Sequence, residues 1–275
     1  MHEPQNARLA FVGGGNMARS LIGGLLSRGT AAQAIAVAEP HAPTRERLAA
    51  DFGVRTCEDG AEAAAGADIV VLAVKPQVMR TVCEALAPAL ASGRALVVSV
   101  AAGIRTAQIC DWLGAPWPVV RVMPNTPALV GAGAAGLFAN AQVEATQRAA
   151  AQALLEATGR AVWIDDESLM DAVTAVSGSG PAYFFLLVEA LEAAGVAEGL
   201  PPEVARALVV QTCVGAARML ETGELPADEL RRRVTSPGGT TQAALEVFEA
   251  GGLRALVGDA VAAAARRGRE LAGAG

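Results

Sequence analysis

Two stretches of the chain have the residue types and spacing to hold anions. Gly13-Gly14-Gly15-Asn16-Met17-Ala18 follows the apolar run Leu9–Val12 and precedes a helical pattern of Leu21, Ile22, Leu25 and Leu26. Gly13, Gly15 and Ala18 fit the spacing G-x-G-x-x-[G/A]. The first glycine allows a sharp turn, the second lets a pyrophosphate reach the backbone, and the small third residue lets helix and strand pack closely. Free N–H groups at the helix start would then face the anion. The second stretch, Ser236-Pro237-Gly238-Gly239-Thr240-Thr241, precedes a predicted helix Gln242–Ala250. It offers backbone N–H groups and three hydroxyls, a nest suited to a carboxylate. A cofactor phosphate at the first and a substrate anion at the second is the natural division. Gly-rich turns and capped loops also occur for purely structural reasons, so the surrounding residues matter.

Glu39 ends a predicted strand 21 positions after Ala18. An acid there accepts hydrogen bonds from ribose hydroxyls and repels a 2′-phosphate. His41, Arg45 and Arg47 lie just beyond and could receive such a phosphate if Glu39 turned away, which leaves NAD against NADP open. Lys75 is the single lysine of a chain with 22 basic residues other than histidine. It follows a buried strand, where ligands of open α/β sheets bind. Val100-Ala101-Ala102-Gly103 and Met123-Pro124-Asn125-Thr126-Pro127 end the next two strands, and suit a rigid floor under a nicotinamide ring. Ser177–Tyr183 reads mainly as a helix start, with Ser179 as cap and Pro181 near the first helical position. It is not a G-x-S-x-G elbow, so a serine hydrolase is excluded.

The elements that must position these residues alternate up to about residue 165. Strands are predicted at Leu9–Val12, Ile35–Ala38, Ala67–Val74, Ala95–Val100, Val119–Val122, Gly136–Ala139 and Ala161–Ile164. Helices are predicted at Thr44–Asp51, Val78–Leu90, Arg105–Leu113 and Val143–Thr158. This rhythm predicts a doubly wound α/β sheet buried on both faces. From Glu167 the strands stop. Pro181–Ala194, Pro202–Glu221, Ala227–Val234, Thr240–Ala250 and Leu253–Leu271 read as helices. The expected division is 1–166, a dinucleotide-binding domain, and 167–275, a helical substrate-binding and dimerisation domain. These helices are too apolar to bury their faces within so short a stretch, so a homodimer is expected.

The totals agree. The 275 residues are 52% hydrophobic and 18% charged, which provides a large core. A net charge of −6 argues against nucleic acid as a partner. No apolar span of transmembrane length precedes the first strand, so no membrane partner and a cytoplasmic location are expected. Cys57, Cys83, Cys110 and Cys213 are scattered, so no metal is expected, and the two histidines, His2 and His41, are poorly placed for proton transfer.

Taken together, Phe11–Ala18, Ala73–Pro76, Val98–Gly103, Arg121–Val130, Ala172–Tyr183 and Val234–Thr241 resemble the pyrroline-5-carboxylate reductase family, in the family's own order. The resemblance implies a Rossmann-type domain, a helical domain interlocked with its dimer mate, and in some members a ring of dimers. It implies reduction of L-1-pyrroline-5-carboxylate to L-proline with NADPH or NADH. Carried onto this chain, it places Val12, Gly13, Gly14, Gly15, Asn16, Met17, Val74, Lys75 and Ala102 at the cofactor; Glu39 at its ribose and Asn125 on the nicotinamide floor are expected from their places at strand ends. It places Glu167, Ser236, Gly238, Gly239, Thr240 and Thr241 around the substrate, with Thr241 donating to the imine nitrogen. A β-hydroxyacid dehydrogenase is the rival enzyme reading, but no lysine or histidine follows Lys75 to relay a proton. A non-enzymatic dinucleotide-binding or pyridoxal-phosphate-binding protein is the other rival, and only Lys75 could form a Schiff base.

Overall fold

The computed structural model describes residues 7–91 and 95–273. It divides into two compact units, one running through Ser179 and taking in the chain from Ala264 on, the other Gly180–Ala263. The sequence reading placed the change of domain at 166/167. His2 lies outside the described residues.

The first unit is built on an eight-stranded sheet. In chain order its strands are β1 (Leu9–Val12), β2 (Ile35–Ala38), β3 (Arg55–Cys57), β4 (Ile69–Leu72), β5 (Leu96–Ser99), β6 (Val119–Met123), β7 (Gly133–Ala139) and β8 (Gly159–Trp163). The spatial order is β3-β2-β1-β4-β5-β6-β7-β8. The first six are parallel; β7 runs antiparallel to β6 and pairs in parallel with β8. Successive side chains of one strand point to opposite faces, and two cores result. Leu9, Phe11, Val71 and Val98 lie in one, with Leu21, Ile22, Leu48, Leu154 and Leu155. Ala10, Val12, Val70, Leu72 and Val97 lie in the other, with Met79, Cys83, Leu86 and Ile109. The helices supplying these residues are α1 (Asn16–Ser27), α2 (Ala42–Phe52) and α6 (Ala145–Glu156) on one face. On the other are α3 (Gly60–Ala64), α4 (Pro76–Leu90) and α5 (Thr106–Leu113). This is the doubly wound arrangement that the sequence predicts.

Among the strands and α-helices up to Trp163, β3 and α3 were not foreseen, and neither was the helical segment from Glu167 to Gly178. β3 is an edge strand with one buried residue, so it shows no apolar run. α3 is a single turn, started by the Asp59 carboxylate accepting the N–H of Ala61 at 2.7 Å. β7 is three residues longer than expected because Gly133–Ala135 also pair with β8. After a 3₁₀ turn at Glu167–Leu169 comes α7 (Met170–Val173), then a π-helical turn, Thr174–Gly178. The small residues of β7 admit this segment: a Cβ built on Gly136 would stand 2.5 Å from Val173 Cγ1.

The second unit is all helical, with α8 (Gly180–Ala197), α9 (Pro202–Glu221), α10 (Ala227–Arg233), α11 (Thr240–Ala250) and the first half of α12 (Leu253–Gly273). α8 leaves Phe184, Phe185, Leu186, Leu187 and Leu191 exposed, Phe185 at 66%. Large apolar side chains in such a run mark a surface that something else covers.

Candidate functional site

The Gly-rich turn connects the end of β1 to α1, where strand order reverses between β1 and β4. Gly13 has φ +102°, a conformation that L side chains rarely adopt, and a Cβ there would lie 2.6 Å from the carbonyl oxygen of Ala73. Val12, Gly13 and Gly14 are buried, whereas Gly15 and Asn16 face solvent and Met17 is half-buried. A Cβ on Gly15 would meet nothing within 4 Å. No side chain caps the α1 N-terminus. The turn thus presents uncovered N–H groups and room for an anion, the fit that a dinucleotide pyrophosphate requires.

Glu39 lies beside this turn. Its carboxylate accepts the N–H of Gly14 at 2.9 Å and that of His41 at 3.0 Å. Farther along the carboxyl edge, Val74 is half-buried and Lys75 is exposed at the start of α4, its ammonium with no hydrogen-bond or ion-pair partner among the described residues. Ala102 is exposed in the turn after β5. Asn125 sits after β6 with its amide in use: Nδ2 donates to the Ser177 carbonyl at 3.2 Å, and Oδ1 accepts the N–H of Ala134 at 2.9 Å. It ties the π-helical turn to the sheet.

Glu167 belongs to the same strapping. It accepts the main-chain N–H of Thr106 at 2.8 Å, the Thr106 hydroxyl at 3.0 Å, and Arg121 Nη1 at 3.4 Å. Arg121 is 4% exposed and also lies 3.8 Å from Asp171 Oδ1. This buried cluster was missed as a unit. Its signal was the arginine inside the otherwise apolar strand Val119–Met123, since a charge in that setting requires partners.

In the second unit, the 236–241 loop opens α11. Gly239 stands at the cap position with no side-chain cap, and Gly238 has φ +70°. The N–H of Gly238 donates to Gln242 Oε1 at 2.7 Å, and Gln242 Nε2 donates to Glu246 at 2.8 Å. The amides of the first turn of α11 are not capped by a side chain, and the hydroxyls of Ser236, Thr240 and Thr241 have no partner among the described residues. Ser236 and Thr240 are exposed and Thr241 half-buried. Arg232 and Arg233 pair with Asp228 and Glu229 of their own helix. A cavity of about 420 Å³ lies between α10, α11 and α12, lined by Leu245, Phe248, Leu253 and Val257. Arg254 and Arg231 hold its Glu249 below the usual carboxylate range, chiefly through the Arg254 hydrogen bonds.

The strand order, the uncovered turn at the switch point and the acid after β2 define a dinucleotide-binding α/β protein with a helical partner domain. Residues 8–103 match the family model described as NADP oxidoreductase, coenzyme F420-dependent, and residues 167–271 match that for pyrroline-5-carboxylate reductase dimerisation. The chain is 56% identical to a pyrroline-5-carboxylate reductase of Pseudomonas aeruginosa, over 96% of this chain and 97% of that one. The solved reductase of Coxiella burnetii superposes with a TM-score of 0.94 at 43% identity, covering 97% of this chain and 98% of that one. The solved Plasmodium falciparum pyrroline carboxylate reductase with NADP bound gives 0.84 at 31%, covering 98% and 99%. The chain belongs to the pyrroline-5-carboxylate reductase family.

Proposed function

We infer that the protein reduces L-1-pyrroline-5-carboxylate to L-proline at the expense of NADPH or NADH, the last step of proline biosynthesis. Family membership over the whole chain supports this, together with an uncapped, uncovered α1 N-terminus at the switch point of the sheet. Bound cofactor supplies the hydride for the imine carbon. The amides of Gly15, Asn16 and Met17 hold the pyrophosphate, with Val12, Gly13 and Gly14 shaping the turn. Glu39 serves the adenosine ribose, and Val74, Lys75 and Ala102 line the nicotinamide end. Asn125 acts there through the backbone it fixes.

The substrate is a small anion with a C=N bond. An imine is protonated readily near neutral pH, so the barrier is largely one of positioning. Ser236, Gly238, Gly239 and Thr240 hold its carboxylate. The Thr241 hydroxyl donates to the ring nitrogen as hydride arrives at carbon. Glu167, with three donors already on its carboxylate, contributes by anchoring the segment before α8 rather than by touching substrate. This chemistry demands no strong general acid, which suits a chain whose described histidine, His41, is exposed and hydrogen-bonded to Thr44.

The protein acts in the cytoplasm as a homodimer through its helical half, with rings of dimers as the higher assembly, and without nucleic acid or membrane. The helical run Glu167–Ala197 is long and apolar enough to cross a membrane by length and composition. The dimerisation match over residues 167–271 favours a second copy as its cover. The test follows absorbance at 340 nm with pyrroline carboxylate and each cofactor. Substrate-dependent oxidation is expected; turnover of β-hydroxyacids but not of pyrroline carboxylate would overturn the reading.

A further inference from the structure

We propose that the adenosine end of the cofactor site selects NADH over NADPH, with Glu39 as the selecting residue. The inference rests on the reductase reading above and adds which of the two cofactors the chain prefers.

Three features carry it. The first is that Glu39 is fixed. One carboxylate oxygen accepts the N–H of Gly14 at 2.9 Å and the other that of His41 at 3.0 Å. Turning the side chain away breaks two charge-assisted hydrogen bonds and strands the Gly14 N–H, which is buried in the turn. Each oxygen still has a lone pair for a ribose hydroxyl.

The second is that the nearest cation is committed. Arg45 Nη1 donates to the carbonyl oxygens of Glu39 and Pro40 at 2.7 and 2.6 Å, and Nη2 lies 3.8 Å from Glu58. The two Nη1 contacts are to main-chain carbonyls, so they persist whatever side chain stands at position 39. His41 is also in use, its Nδ1 2.9 Å from the Thr44 hydroxyl.

The third is crowding. A Cβ on Gly14 would meet Leu48 Cδ1 at 2.5 Å and Glu39 Oε2 at 3.3 Å, so turn, acid and α2 are already in contact. A 2′-phosphate, with about two negative charges, would be placed against a fixed carboxylate. Of the basic residues beside it, only the exposed Arg47 has no partner among the described residues.

The experiment compares kcat/KM for NADH and NADPH in the wild type, Glu39→Gln and Glu39→Ser. Calorimetric binding of AMP and of adenosine 2′,5′-bisphosphate is measured alongside. The wild type should favour NADH, and AMP over the bisphosphate, by about tenfold or more. Glu39→Gln keeps the size and one acceptor but removes the charge, and should shrink both ratios about tenfold. Glu39→Ser should shrink them further while weakening NADH, because the ribose loses its acceptor. Equal or better use of NADPH by the wild type, or ratios unmoved in Glu39→Gln, overturns the proposal. Loss of pyrroline-carboxylate turnover with AMP selection intact would instead sink the reductase reading and leave this one standing.

Discussion

Thr106 and Glu167 are joined twice, main-chain N–H to Oε1 at 2.8 Å and hydroxyl to Oε2 at 3.0 Å, across 61 residues of sequence. Arg121 completes the cluster from the middle of β6, almost fully out of solvent. A buried charge with partners on two elements specifies where those elements meet, and removing one partner leaves the other charge desolvated.

Glu167→Ala should therefore lower unfolding free energy by about 2–4 kcal/mol, because it strands the Thr106 amide and leaves the buried Arg121 with Asp171 as its one carboxylate among the described residues. Glu167→Gln, which keeps acceptor and donor capacity, should cost less. Urea midpoints at constant slope measure this. A variant with native stability and only a raised KM would instead make Glu167 a substrate ligand.

The two outer glycines of the turn should separate fold from binding. Gly13→Ala forces φ +102° on an L residue and drives a methyl against the Ala73 carbonyl, so loss of soluble native protein is expected. Gly15→Ala meets open space in the free protein and should fold normally. Its methyl should raise the Kd for NADH by about tenfold or more, since it stands where a pyrophosphate approaches. Fluorescence titration of NADH, alongside thermal melting, checks both. Unchanged affinity in Gly15→Ala would place the pyrophosphate elsewhere.

Much of the sheet is legible in the sequence. Leu9–Val12, the glycine turn and Ile35–Ala38 were legible because a strand buried on both faces is an unbroken apolar run. α2 stops at Gly53, at φ 66°, because glycine adopts that conformation without strain. What escaped depended on partners distant in sequence. β3 is defined by pairing with β2 rather than by its own residues. Arg121 gains meaning only when Glu167 and Asp171 arrive. The role of Asn125 was read from its place at a strand end and that of Glu167 from the family resemblance, whereas their hydrogen bonds depend on how α7 and the π-helical turn pack on β7.

Thr241→Ala should lower kcat by about 10–100-fold with a smaller change in KM, the range for a positioned proton donor. Thr241→Ser, which restores the hydroxyl, should recover most of it. Steady-state kinetics at saturating cofactor tests the pair. An unchanged kcat in Thr241→Ala removes that hydroxyl from the mechanism.

Cys83 is fully buried on the inner face of α4, and burial pushes its thiol pKa up from 9.0 to about 12. The unfolded chain gives up that proton first as pH rises. Stability should be unaffected by this group below pH 9 and fall progressively between pH 9 and about 12, since there the folded state binds more protons. Cys83→Ala should start less stable because of the cavity but lose less stability over that interval. Chemical unfolding at several alkaline pH values reads the slope; parallel slopes for the two proteins would show that Cys83 contributes none of it.

The account stands on hydride transfer to an imine carbon, and isotope transfer tests that directly. Incubation of L-1-pyrroline-5-carboxylate with NADH deuterated at nicotinamide C4, using each stereoisomer in turn, should give L-proline carrying one deuterium at ring C5 from one isomer and none from the other. Proline formed without deuterium from either isomer, or no proline at all while the protein still binds cofactor, would contradict it.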